Sequence, residues 1–221
     1  MKLLIKFPSR ERPEQFAKVL DLYARNLNHP QEARFLLTFD DDDPAHAAYI
    51  ESTTAILMAL DIDYTITTGT SASKIAAINR DMDLGGQWDI MLLASDDMVP
   101  ERKGYDTAMR KAYMDYGGDC AIWMNAGDQP RIATLCGMTR AYYQRFGYIY
   151  HPDYVSLWCD NEWTDVARSL NRLAYVEDVY IRNASPDWGG KVPVDKLYQR
   201  NNRHYHADQH TYTRRLAAGF P

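Results

Sequence analysis

Ile90-Met91-Leu92-Leu93-Ala94-Ser95-Asp96-Asp97-Met98-Val99-Pro100 is an apolar run that ends abruptly in two adjacent carboxylates. Large apolar residues in succession, without polar alternation, suit a strand covered on both faces, as central strands of parallel sheets are. Two carboxylates side by side at its tip repel by on the order of 1 kcal/mol or more unless solvent or a cation offsets the charge. Asp96-Asp97 therefore reads as functional rather than decorative.

The segments on either side of this run alternate strand and helix. Leu3-Leu4-Ile5-Lys6-Phe7 predicts a first strand closed by Pro8-Ser9-Arg10, and Pro13 suits the first turn of a helix. Phe16, Val19, Leu20, Tyr23 and Leu27 recur at helical spacing and form one apolar stripe to lie on a sheet. A second strand is predicted over 33–39, ending in Asp40-Asp41-Asp42-Asp43-Pro44, then a helix over 45–60. A third strand follows over 63–67, and Ser71 and Ser73 offer caps for a helix over 74–82. This order is the one that parallel sheets with crossover helices require, so the fold class is α/β with a mostly parallel central sheet flanked by helices. The second half is less regular. It predicts helices over 105–116, 139–146 and about 161–173, and strands over 120–124, 132–136 and 174–181. A polar, aromatic tail follows Asn183, with Pro186-Asp187-Trp188-Gly189-Gly190 and Arg203-His204-Tyr205-His206-Ala207-Asp208-Gln209-His210.

A chain of 221 residues with 46% hydrophobic residues forms one core, and no linker or repeat divides it. The reading is a single domain over 1–221, with a nucleotide-binding half over about 1–100 and an acceptor half over about 101–221. The net charge of −5 argues against binding to nucleic acid through a positive field. Cys120, Cys136 and Cys159 have no CxxC spacing, which suggests neither a disulfide framework nor a thiolate zinc site. No apolar stretch approaches the ~20 residues needed to span a bilayer, and a soluble, cytoplasmic protein is expected. The 16 Tyr and 5 Trp are the compositional oddity, and they are expected to line an acceptor site.

Ligands of parallel α/β sheets gather at the carboxyl ends of the strands. The residues there are Ser9, Arg10 and Arg12 after the first strand, Asp40 to Asp43 after the second, Thr68, Gly69 and Thr70 after the third, and Ser95, Asp96 and Asp97 after the fourth. Arginines suit diphosphate oxygens, and carboxylates at a strand tip suit a hard divalent cation that bridges phosphates. The set points to a metal-bound nucleotide. The plainer alternatives are a solvated turn or helix cap for Asp40 to Asp43 and exposed side chains for the two arginines. No Walker loop, GxGxxG, HExxH or GxSxG is present.

The layout resembles the GT-A-fold glycosyltransferases, especially the small inverting family-2-like enzymes that use nucleotide-diphospho sugars. The resemblance runs from Phe7-Pro8-Ser9-Arg10 through Leu92 to Pro100 to Asp160-Asn161-Glu162-Trp163. The strand ending in Ser95-Asp96-Asp97 is similar to that family's DxD motif, with serine at the first acidic position. The resemblance implies Mn2+ or Mg2+ held by Asp97, with Asp96 on ribose or metal. It implies a nucleotide pocket of Pro8, Ser9, Arg10, Arg12, Gly69 and Ser95, with Asp40 facing the base and Lys74 and Asn79 on a closing helix. For these last two the alternative is an exposed helix face. Asp160 would be the base that takes a proton from the acceptor hydroxyl, with Glu162 second; one of the two otherwise caps the helix starting near Trp163. Such enzymes often add a C-terminal histidine to the metal, and His206 is the candidate taken here. His204 and His206 alternate as on a strand, whereas His206 and His210 share a face if the tail is helical.

The implied reaction moves a hexose or pentose from a nucleotide-diphospho sugar, uridine-based by expectation, to a hydroxyl of a glycan, a small molecule or a modified DNA base. The rivals are a sugar-phosphate nucleotidyltransferase, which normally has a glycine-rich loop after the first strand, and a non-catalytic metal- or nucleotide-binding module.

Overall fold

In the computed structural model, residues 1–186, 189 and 194–221 are described, and Trp188 of the tail lies outside them. The first half follows the expected order, with the short β5 as an addition that the sequence reading does not predict: β1 (Leu3–Ser9), α1 (Pro13–Arg25), β2 (Ala33–Asp40), α2 (His46–Ala59), β3 (Asp63–Gly69), α3 (Lys74–Asn79), β4 (Ile90–Leu93), β5 (Met98–Pro100) and α4 (Tyr105–Asp115). Then come β6 (Ala121–Met124), β7 (Leu135–Thr139), α5 (Arg140–Gln144), α6 (Cys159–Ser169), β8 (Leu173–Val176), β9 (Ile181–Asn183), α7 (Lys196–Asn202) and α8 (Tyr205–Ala217). The main sheet has the order β3-β2-β1-β4-β7-β6-β8. Its β1–β4 half is parallel, and β7 joins β4 antiparallel with Ile90 opposite Thr139.

Period-2 alternation in β1 sends Leu3, Ile5 and Phe7 into one core and Leu4 into the other, so the sheet is covered on both faces. On the first face Phe7, Phe16, Phe39 and Tyr49 form a chain of ring contacts 4.8–5.2 Å apart, which clamps α1 and α2 to the sheet. Part of the tyrosine surplus goes into the two cores: of the 16, Tyr23, Tyr49, Tyr105, Tyr142 and Tyr154 are fully buried. These five are therefore not available to line an acceptor site, whereas Tyr150 and Tyr198 stand on the wall of the cleft described below.

Three further expectations shift, two of them in the second half. The strand expected over 132–136 lies over 135–139, and Thr139 ends it by capping α5 with its buried hydroxyl. The strand expected over 174–181 divides at the exposed Glu177-Asp178 into β8, in the main sheet, and β9, which pairs with β5 in a separate ribbon. The helix expected over 74–82 stops at Asn79, because Asp81 takes a left-handed conformation.

Lys6 shares the face of Leu4 and is fully buried, donating to Thr38 Oγ1 and, at 2.7 Å, to the carbonyl of Arg80. Burial pulls its ammonium from the ordinary 10.5 down to about 7, against the attraction of Asp81. An unfolded lysine therefore binds more protons than the folded one between those values, so this residue's penalty is full below about pH 7 and relieved as pH climbs toward 10.5. Urea denaturation at about pH 7 and about pH 10 should show Lys6→Met flattening that rise relative to the parent chain.

Candidate active site

A cleft of about 550 Å³ opens at the carboxyl ends of β1, β2 and β4, between the start of α3, the start of α6 and α7. Pro8, Ser9, Arg10, Arg12, Asp40, Lys74, Ser95, Asp96, Asp97 and Asp160 all line it. Residues separated by up to about two-thirds of the chain thus meet as the strand-end reading expects.

The loop after β1 is held by side chains rather than by glycines. Asp43 is buried and accepts the amide of Glu11 at 2.6 Å, and the Tyr49 hydroxyl accepts that of Arg12 at 2.6 Å. Glu11 accordingly sits at φ 60°, a left-handed conformation that needs such fixing in a non-glycine residue. Of the four successive aspartates, Asp43 is structural, Asp41 accepts from Thr70, and Asp40 and Asp42 turn to Arg10. The Arg10 fork grips both oxygens of Asp42 at 2.7 and 3.0 Å and reaches Asp40 at 2.8 Å. That grip holds the Asp42 carboxyl below its ordinary range. Arg80 takes the other oxygen of Asp40 at 3.4 Å.

Arg12 is the hub. Its guanidinium meets Asp96 at 3.0 Å and grips Asp195 with two bonds of 2.6 and 2.9 Å. The hydrogen bond from Arg12 keeps Asp195 low. Asp96 is buried, and burial together with Asp97 lifts its carboxyl to about 6 against the pull of Arg12. Asp97 receives the hydroxyl of Ser95, and among the described residues no cation bridges to it. Asp160 opens α6 with its side chain on the cleft, raised by burial and drawn down by Lys74.

Charge decides what the cleft suits. Its wall carries five carboxylates, Asp40, Asp42, Asp96, Asp97 and Asp160, against Arg10, Arg12, Lys74 and Arg200. A diphosphate would add negative charge, so a divalent cation fits the site. Among the described residues no group of three or more His, Cys, Asp or Glu side chains forms a closed metal cage. One or two carboxylates plus substrate phosphates is the way magnesium-like ions are ordinarily held.

Four expected site residues lie elsewhere. Gly69 stops short of the cleft, beneath the Arg80 guanidinium. Asn79 is consumed by the backbone of the 149–150 segment, donating to the Tyr150 carbonyl at 2.6 Å and accepting the amides of Ile149 and Tyr150. Glu162 is buried on the other side of α6, where the Arg215 fork holds it at 2.7 and 2.8 Å and the Tyr154 hydroxyl donates at 2.8 Å. His206 is exposed on α8 and outside the cleft wall, whereas His204, just before α8, is part of that wall. The helical form of the tail explains the exchange. Asp195 and the α7 wall were not foreseen, since a polar segment without apolar period gives no sign of docking.

The fold so described is that of GT-A-like nucleotide-sugar glycosyltransferases, a mixed α/β sheet flanked by helices. No family model matches the chain, and no curated protein matches it. The mannosyltransferase PcManGT from Pyrobaculum calidifontis, solved with GDP-Man and Mn2+, superposes with a TM-score of 0.65 at 11% identity, over 83% of this chain and 57% of that one. TarS 1-349 from S. aureus with UDP-GlcNAc gives 0.64 at 10% identity, over 94% of this chain and 66% of that one. The 4-diphosphocytidyl-2C-methyl-D-erythritol synthase from Anaerococcus prevotii DSM 20548 gives 0.52 at 11% identity, over 84% and 92%. The chain thus spans about two-thirds or less of the glycosyltransferase chains it matches. No helix among the described residues is long and apolar enough to cross a membrane.

Because the buried Glu162 is gripped by the part-buried fork of Arg215, Glu162→Ala should cost about 2 kcal/mol of stability in chemical denaturation. Nucleotide binding by the folded fraction, read by calorimetry, should stay unchanged.

Proposed function

We propose that the chain is a cation-dependent glycosyltransferase that moves a sugar from a nucleotide-diphospho sugar to an acceptor hydroxyl, with inversion. The observation that carries this reading is the convergence of Arg10, Arg12, Asp96, Asp97 and Asp160 on one cleft at the strand ends. The GDP-Man, UDP and UDP-GlcNAc complexes of the fold's neighbours support a nucleotide-sugar donor, and the Mn2+ of one of them supports the cation.

Each residue's work follows from its place. Arg10 and Arg12 offer planar forks that match diphosphate oxygens, once their carboxylate partners yield. Asp40, pinned between Arg10 and Arg80, presents a fixed edge of the cleft to the base. Asp97, with Asp96 beside it, would hold the divalent cation, which when bound offsets charge on the leaving diphosphate. Asp160 takes the acceptor's proton, and its raised carboxyl is the mark of a base tuned by a partly desolvated setting. Glu162 is withdrawn as the second candidate by its contact with Arg215.

The nucleotidyltransferase neighbour, which this chain spans over 92% of its length, favours a second reading, transfer of a nucleotidyl group to a sugar phosphate. The loop Pro8-Ser9-Arg10-Glu11-Arg12 has no glycine, which weighs against it. Release of pyrophosphate from CTP or UTP with a sugar phosphate would favour the second reading. Release of a nucleoside diphosphate from a sugar nucleotide would favour the first.

Two substitutions separate the roles. Asp97→Ala should abolish Mn2+-dependent calorimetric binding of GDP-mannose or UDP-N-acetylglucosamine. Asp160→Asn should bind the donor as the parent chain does and lose at least a hundredfold in turnover, a size in keeping with loss of a general base. Absence of binding by any nucleoside diphosphate with Mn2+ would overturn the proposal.

A further inference from the structure

Helix α8 grips the segment carrying Asp160 at three points, through residues spaced to lie on one face of the helix. Asp208 is 1% exposed and its carboxylate accepts three consecutive backbone amides, those of Val155, Ser156 and Leu157, at 2.8–2.9 Å. Tyr212 donates to Asp165 at 2.6 Å, and Arg215 forks onto Glu162. These contacts fall on both sides of Asp160: the amides precede it and the two acids follow it. Between the amide clamp and Asp160 stands Trp158 at φ 62°, a left-handed conformation costly for a bulky side chain and kept only where its surroundings over-determine it. Its ring is caught between Tyr205 and Tyr212 of α8, at 5.6 and 5.3 Å. Val155 and Leu157 themselves line the cleft, and the Val155 carbonyl accepts the amide of Ile75, which couples the segment to the start of α3 next to Lys74.

We propose that Asp208 is a positioning residue: through the 155–158 segment it sets where Asp160 stands in the cleft. This rests on the catalytic reading of Asp160. An aspartate suits the task because two carboxylate oxygens accept three amides. In Asp208→Asn the amide nitrogen must face at least one backbone N–H, so the clamp loosens while the shape is kept. The donor-side residues Arg10, Arg12 and Asp97 belong to other elements, so donor affinity should not follow.

The test compares Asp208→Asn with Asp160→Asn and the parent chain by two readouts. Amide hydrogen exchange over 155–160 is expected to quicken at least tenfold in Asp208→Asn, with exchange in β1 and β4 unchanged. Turnover, read as nucleoside diphosphate released from GDP-mannose or UDP-N-acetylglucosamine with Mn2+, is expected to fall about tenfold, with calorimetric donor affinity within twofold. If Asp208→Asn does not fold, Trp158→Gly, which a left-handed backbone accepts, is expected to give the same split. Unchanged exchange at 158–160 overturns the proposal, as does quickened exchange with unchanged turnover, or a joint loss of turnover and donor affinity. If Asp160→Asn keeps full turnover, or the parent chain has none, the catalytic reading fails and this role goes with it; the exchange result then reports the clamp alone.

Discussion

Two carboxylates at the tip of a buried strand are the constraint on which the site rests. β4 is covered on both faces, so Asp96 and Asp97 cannot move apart by shifting the strand. Their charge must be answered from outside it. Arg12 answers Asp96 from the loop after β1, and by also gripping Asp195 it draws the chain before α7 over the strand ends. Among the described residues the Asp97 carboxylate is met by the hydroxyl of Ser95 and by no cation, and it keeps capacity for a ligand. The unequal treatment of two neighbouring acids gives the cleft its polarity: one acid is spent on architecture and the other remains available.

The same economy of charge appears at Arg10, whose fork is filled by Asp42 and Asp40. Arg10 and Arg12 are therefore both paired before any ligand arrives. A diphosphate bound as proposed would exchange one set of anions for another rather than meet bare cations. Such exchange favours a ligand whose geometry matches two forks at once over a single anion of equal charge.

The parallel half of the sheet was legible because each strand there is a compact apolar run closed by polar residues. Once strands are placed, the rule that ligands gather at their carboxyl ends brings Ser9, Arg10, Arg12, Asp40, Asp96 and Asp97 together without further information. Glu162 came from the resemblance instead, as second candidate for the base after Asp160. Two residues apart on a helix, Asp160 and Glu162 point about 200° from one another, so both cannot face one cleft. Applying helical periodicity to that pair would have removed one of them. Asn79 was out of reach for another reason: its partners are backbone groups of Ile149 and Tyr150, which no side-chain pattern announces. The docking of α8 was equally hidden. Its inner face is Asp208, Tyr212 and Arg215, a polar stripe that an apolar-period search passes over.

The wall supplied by Asp195 and α7 also imposes an order in time. Arg12 and Asp195 are 183 residues apart, a separation that a ribosome adding about 5–20 residues per second covers in on the order of 10–40 s. During that interval the emerging chain can assemble its parallel strands and pair Arg12 with Asp96, yet the cleft has no roof. The Arg12–Asp195 contact that draws the chain before α7 over the strand ends thus depends on a residue made long after the strands it covers.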